Sequence, residues 1–368
     1  MPDVSLLKIA VIGGGIYGTT IAIRLAKKYH VDLYESNSDI LKGASQVNQF
    51  RLHRGYHYPR SAKTIISSLR SSTAFMEEYR NTVIDNYKHY YCIAKEGSKT
   101  SPEEFINVCD TFKLEYQQEF SPVVSKDSIG LSLRVREYLI DYNALYRTVW
   151  ERLKKSGVDV KLNTTATKET LEKYDYSVIC TYGNINTLIP EEEDAENYQY
   201  ELVEKIAVSL PPIFDKQSVV IMDGPFTCVD PYGNTSKHLM GNVVHAIHQT
   251  NVGKYPVYDK KFDKLINNGF IENPPITNYR KFIESAEKFF PEITKAKHLA
   301  SMYTFRTVLP NKDRTDERPT IVKELSQGTV MVFSGKIASC VTAARKIEEI
   351  VNSKFKNKKS NVAEFSFV

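Results

Sequence analysis

The chain has 368 residues, of which 42% are apolar and 25% charged, with a formal net charge of +5. This is ordinary for a globular protein with two domains, and so mild a charge argues against a nucleic-acid partner. Five cysteines, none paired at C-x-x-C spacing, argue against a disulfide framework and a structural zinc site and fit a reducing compartment. No apolar run approaches the ~18 residues of a membrane span, and Val11-Ile12 run straight into glycines, so a cytoplasmic protein without a signal peptide is expected.

Taken in chain order, Leu7 to Ile12 is a short apolar run suited to a buried parallel strand. A glycine cluster follows, then apolar residues at helical spacing (Ile16, Ile21, Ala22, Leu25), then a strand from Val31 to Glu35. Residues 36–60 are polar and irregular, and so long a loop in a compact domain is usually functional. Helical spacing resumes from Ala62. Ser101-Pro102-Glu103-Glu104 is a capping box with proline at the first helical position. Asp141 caps another helix, which Gly157 ends. Strands are expected at 158–162 and 176–181. From about 198 to 301, short alternating runs broken by Pro211-Pro212, Gly224-Pro225 and Pro231 predict an antiparallel sheet, with a helix near 278–290. A strand at 329–333 and a helix over 337–351 close the chain.

Gly13-Gly14-Gly15-Ile16-Tyr17-Gly18 matches G-x-G-x-x-G between a strand and a helix. Gly13 permits the tight turn, Gly15 admits a pyrophosphate to the backbone, and Gly18 lets the helix approach the strand. The helix start offers unpaired N–H groups to phosphate. Glu35, followed by Ser36, ends the second strand where a carboxylate can accept bonds from ribose hydroxyls, which also disfavours a 2′-phosphate. FAD and NAD share this fingerprint. The segment after it supplies small and amide residues (Gly43, Ala44, Ser45, Asn48, Gln49) and then Arg51, Leu52, His53, Gly55 and His57, suited to hydrogen-bonding phosphates and a polar ring edge.

Gly43-Ala44-Ser45 and His53-Arg54-Gly55-Tyr56-His57-Tyr58 resemble the matching stretches of the D-amino-acid oxidase superfamily of flavoproteins. Val178-Ile179-Cys180-Thr181-Tyr182-Gly183 resembles its strand ending in a glycine near the flavin nucleotide. Phe305-Arg306 resembles its substrate-anchoring arginine, and Ser334-Gly335-Lys336-Ile337 its loop closing over the flavin ring. Two departures are visible. The closing loop is less glycine-rich than is common in the family, and Thr307-Val308 stand between Arg306 and Leu309-Pro310.

The resemblance implies an α/β fold. A Rossmann-like FAD-binding domain with a parallel sheet would come from 1–85, 140–190 and 300–368. A substrate domain with mostly antiparallel sheet would come from 86–139 and 191–299, with the acidic run Glu191-Glu192-Glu193-Asp194 at one crossing. It implies FAD held by Gly13, Gly15, Ile16, Tyr17, Gly18, Glu35, Ser36, Ala44, Ser45, Asn48, Gln49, Arg51, Leu52, His53, Thr181, Gly183, Gly335, Lys336 and Ile337, and non-covalent attachment is expected, the alternative being a covalent bond to His53 as in some relatives. The reaction implied is removal of a hydride from a C–H next to an amine or hydroxyl of a small anionic substrate, passed to flavin N5. His53 and His57 are candidate bases for an alcohol, since imidazole titrates near neutrality. Arg306 is the candidate anion anchor, the alternative being a surface ion pair with Asp313 or Asp316. His245 and His248 lack a third ligand, so no metal is expected. The rival functions are an NAD-dependent dehydrogenase and a flavin-binding protein without redox turnover.

Overall fold

The computed structural model describes residues 7–189, 195–312, 317–325 and 328–364, with side chains described to Phe355. The acidic run at 191–194, Asp313 and Asp316 lie outside the described residues.

The chain opens with β1 (Lys8–Ile12), α1 (Ile16–Leu25) and β2 (His30–Tyr34), then the polar loop leads to β3 (Arg51–Leu52). Ser61 starts α2 (Ala62–Tyr79) by accepting the Thr64 N–H. β4 (Val83–Ile84) and β5 (Lys88–Ala94) follow, then α3 (Pro102–Thr111). The expected capping box is present there: Ser101 Oγ accepts the Glu104 N–H and the Glu104 carboxylate accepts the Ser101 N–H. After β6 (Tyr116–Gln118), β7 (Ile129–Val135) and β8 (Tyr138–Ile140) comes α4 (Tyr142–Ser156). Asp141 Oδ1 caps it through the Ala144 N–H, and Gly157 ends it at φ +72°. β9 (Asp159–Lys161), α5 (Lys168–Leu171) and β10 (Tyr176–Ile179) complete the first half. The second half contains β11 (Tyr198–Ser209), β12 (Gln217–Met222), β13 (Thr227–Pro231), β14 (His238–Asn242) and β15 (Ile247–Gly253). It ends with α6 (Tyr279–Ala286), β16 (Lys297–Val308), β17 (Ile321–Glu324), β18 (Thr329–Phe333) and α7 (Cys340–Glu364). Among the described residues no helix is long and apolar enough to cross a membrane.

The chain forms two compact units. The first comprises 1–41, 146–196 and 319–368. Its sheet has the order β17-β18-β10-β1-β2-β9, parallel except for the β17–β18 edge. The order reverses at β1, whose neighbours are β2 on one side and β10 on the other. In such sheets ligands bind outside the carboxyl ends of the strands at this reversal.

The second unit comprises 42–145 and 197–318. The sequence division placed 42–85, 140–145 and 300–318 with the glycine-rich end, on texture and resemblance. Packing groups them with this unit, because β3 and β4 pair with β8 and β16 runs along β11. Its nine-stranded sheet is antiparallel apart from the parallel β12–β5 pair. Side chains alternate between its two faces. One face is apolar: Ile206, Val208, Val219, Ile221, Val229 and Met240 pack with Phe282, Phe289 and Phe290 at α6. The alternate residues, Lys205, Ser218, Cys228, Asp230, His89 and Tyr91, face the other way. That face holds the buried Asp230 beside a second apolar cluster that includes Tyr91, Ile93, Val220 and Met222.

Candidate functional site

In the first unit, Gly13 turns at φ +105°, and a Cβ there would sit 2.6 Å from the Cys180 carbonyl oxygen. Gly18 is tighter still: a Cβ would fall 1.8 Å from the Gly13 carbonyl oxygen. Gly15 is the N-cap of α1 and brings no side-chain cap, so the helix start keeps its donors for an anion. Glu35 is buried at the end of β2. Its Oε1 accepts the Asn37 N–H at 2.8 Å, the Asn37 amide at 2.6 Å and the Ser36 hydroxyl at 3.3 Å. Oε2 accepts only the Gly14 N–H, at 2.7 Å, among the described residues. A carboxylate oxygen takes about two such bonds, so Oε2 retains room for a ribose hydroxyl.

The closing loop is tied to the same helix. The Tyr17 hydroxyl, kept protonated by burial, donates to the Lys336 carbonyl at 2.6 Å. The Gly335 N–H donates to Thr320 Oγ1 at 3.2 Å, and Ile337 begins a short 3₁₀ turn. Thr181 follows β10, with Gly183 in the turn after it. The Thr181 backbone N lies 3.4 Å from where a Gly13 Cβ would be, and its hydroxyl is buried without a hydrogen-bond partner. All these residues, taken from four separated stretches, meet in the first unit at the ends of β1, β2, β10 and β18.

The remaining candidates lie in the second unit. Asn48 shapes the loop: its amide donates to the carbonyls of Ala44 at 3.1 Å and Ser45 at 3.2 Å, and its Oδ1 accepts the Phe50 N–H at 2.6 Å. Leu52 is fully buried in β3. Arg51, also buried, binds Asp230 at 2.7 Å and Glu137 at 3.2 Å, and its plane lies over the Tyr91 ring. Asp230 accepts in addition from Ser218 at 2.6 Å and from the Gln49 amide at 2.6 Å. Glu137 accepts from Tyr91 at 2.8 Å and from the Arg54 N–H at 2.9 Å.

His53 Nδ1 stands 3.5 Å from Glu137 Oε1, and its side chain keeps 19% of its exposure. Burial alone would raise the Glu137 carboxyl, but the adjoining His53 ring and then Arg51 hold it below the usual carboxylate range. The His57 ring lies tilted beside that of His53, with centroids 5.1 Å apart. His89 is different. Burial first, and the Arg51 charge next, push it down to about 3, and neither ring nitrogen has a hydrogen-bond partner. Arg306 pairs through Nε with Glu201, the residue opposite it on β11. The pair fixes the guanidinium while its Nη edge has no protein partner among the described residues, so that edge can still meet a carboxylate.

A family model described as FAD dependent oxidoreductase (DAO) matches residues 8–336. The chain belongs to this family. It is therefore a flavin-dependent oxidoreductase, and FAD is its cofactor. The FAD-dependent monooxygenase kojA of Aspergillus flavus is 24% identical over 400 residues, covering 98% of this chain and 90% of its own. Two solved DAO-like structures share the fold. Glycine oxidase from Geobacillus kaustophilus superposes with TM-score 0.68 and 14% identity over 92% of each chain. L-alpha-glycerophosphate oxidase from Mycoplasma pneumoniae, with FAD bound, does so with TM-score 0.68 and 14% identity over 94% of each.

The residues of this DAO chain fit FAD on their own geometry. The glycine cradle leaves no space for side chains, the α1 start has no cap, Oε2 of Glu35 has spare capacity, and the Thr181 hydroxyl is a buried orphan. Glu35→Ala is expected to weaken FAD binding by about 1–3 kcal/mol, the range for hydrogen bonds to a charged group. Titration of the apoprotein with FAD reads this, and an unchanged dissociation constant would move the ribose site elsewhere. Sequence reasoning missed Glu137, Asp230, Glu201 and Lys205. Their partners and neighbours lie on elements distant in sequence, so no local pattern marks them.

Proposed function

We propose that this enzyme removes a hydride from a C–H next to an amine or hydroxyl of a small anionic substrate. The observation that carries the reading is His53 held against the buried Glu137 carboxylate. A partly exposed imidazole backed by a carboxylate takes a proton from an approaching hydroxyl, and the carboxylate steadies the cation that results. FAD, when bound, supplies the two-electron acceptor. Arg306, oriented by Glu201, holds the substrate's acidic group. Gly13, Gly15, Gly18 and Glu35 hold the ADP half, and Thr181, Gly335 and Lys336 complete the cofactor's surroundings. On this reading the first unit is chiefly the cofactor's and the nine-stranded sheet chiefly the substrate's.

On this reading the FAD is held without a covalent bond. Heat denaturation should leave the yellow colour in the supernatant, and a yellow precipitate would contradict this. The reaction itself is tested by mixing the holoenzyme anaerobically with amino acids, amines and hydroxy acids. At least one anionic member should bleach the flavin without any added reductant. If bleaching requires a nicotinamide reductant throughout, the activity is that of a monooxygenase, as the Aspergillus relative is named, and the hydride reading falls.

A further inference from the structure

The polar face of the nine-stranded sheet carries two cations with different surroundings. Glu201, Val203 and Lys205 alternate along one face of β11, opposite Arg306, Thr304 and Met302 of β16. Arg306 is engaged by Glu201, which also accepts from Gln199 at 2.7 Å. Asp230, the other carboxylate on this face, is committed to Arg51, Ser218 and Gln49. Lys205 has neither a hydrogen bond nor an ion pair to protein among the described residues.

Its position is nonetheless built. The ammonium leans away from β16 toward β14, where a Cβ on Gly241 would lie 3.1 Å from Nζ, 2.6 Å from Cys228 Sγ and 3.2 Å from the Gln49 amide nitrogen. Any side chain at 241 would fill that seat. Gln49 donates to Cys228 at 2.9 Å and to Asp230, which fixes its amide orientation and leaves Oε1 buried without a partner. A cation whose carboxylate neighbours are all committed is completed by an anion from outside the protein. Burial of this lysine disfavours its charge, which such an anion would restore.

We propose that Lys205 is a second anion-binding residue, and that the substrate carries two acidic groups, one for Arg306 and one for Lys205. This rests on the substrate reading above. The two cations reach toward different parts of the sheet, Arg306 over its Glu201 partner on β11 and Lys205 toward β14. A two-ended acid satisfies both.

Calorimetric titration of the holoenzyme with glutarate and succinate, against butyrate and propionate, tests this without turnover. The dicarboxylates should bind about tenfold or more tightly than the matched monocarboxylates. Lys205→Met should abolish that advantage while keeping monocarboxylate affinity and flavin content, and Lys205→Arg should restore part of it. Equal affinity of the mono- and dicarboxylates for the wild type would overturn the proposal. So would an advantage that survives Lys205→Met. Either result leaves flavin reduction by a monoanionic substrate open, so this proposal and the hydride reading fail separately.

Discussion

Glu204→Leu is expected to destabilise the protein by roughly 3–5 kcal/mol, the range for removing one member of a buried charged set. Glu204 lies in β11 with no exposed surface. Its carboxylate accepts from His248 at 2.9 Å, Thr277 at 2.5 Å, the Asn278 N–H at 2.8 Å and Ser301 at 2.5 Å, with Tyr303 at 3.3 Å. Leucine fills the volume but leaves these donors unpaired in the interior, and each unpaired group costs desolvation that folding does not return. The carboxylate joins the connection before α6 to β11 and β16, so the loss should be global. Urea unfolding followed by circular dichroism reads it, and a change under about 1 kcal/mol would show that water replaces the carboxylate. The same group has a pH consequence. Burial would raise its pKa, but His248 and the other donors outweigh burial and hold the carboxyl below its ordinary value of 4.5. A depressed folded pKa contributes stability above the unfolded value, and that contribution is lost as pH falls through the folded one. The acid limb of the stability curve below about 4.5 should therefore flatten in Glu204→Gln.

Gly18→Ala is expected to yield protein without bound flavin. The added carbon would sit 1.8 Å from the Gly13 carbonyl oxygen, an overlap with backbone that no rotamer relieves. The glycine turn must open or α1 must shift, and either displaces the N–H groups offered to the pyrophosphate. The cost should exceed the about 1–3 kcal/mol usual for overpacking, because backbone and not a side chain must give way. Visible absorbance of the purified variant reads the outcome. Full flavin occupancy would show that the turn tolerates a side chain and that the cofactor site rests elsewhere.

The parts of the fold that were legible are those written locally. Gly13, Gly15 and Gly18 with Glu35 specify a strand, turn, helix and strand within one short stretch. Ser101 and Glu104 specify a helix start, and Asp141 and Gly157 bracket another. Among the alternating runs of 198 to 301, the stretch from 239 to 247 has apolar residues throughout. It is β14 and part of β15 with a turn between, in which Asn242 Oδ1 accepts the N–H groups of Val244 and His245. Such an Asx turn leaves little trace in apolar alternation. The ionic centre was hidden for a different reason. Lys205 meets Gly241 and Cys228 only because β11, β14 and β13 lie side by side, and Arg51 meets Asp230 and Glu137 across large separations in sequence. Arg306 finds Glu201 through the β11–β16 register. Partners set by sheet order are invisible until the order is known.

The hydride reading is tested most directly by the rate of anaerobic flavin bleaching with a substrate carrying deuterium on the carbon to be oxidised. The reading predicts that bleaching by the deuterated compound is measurably slower than by the protonated one in a single turnover, because the C–H bond breaks as the flavin is reduced. Equal rates at saturating substrate, with bleaching dependent on an added reductant, would contradict it.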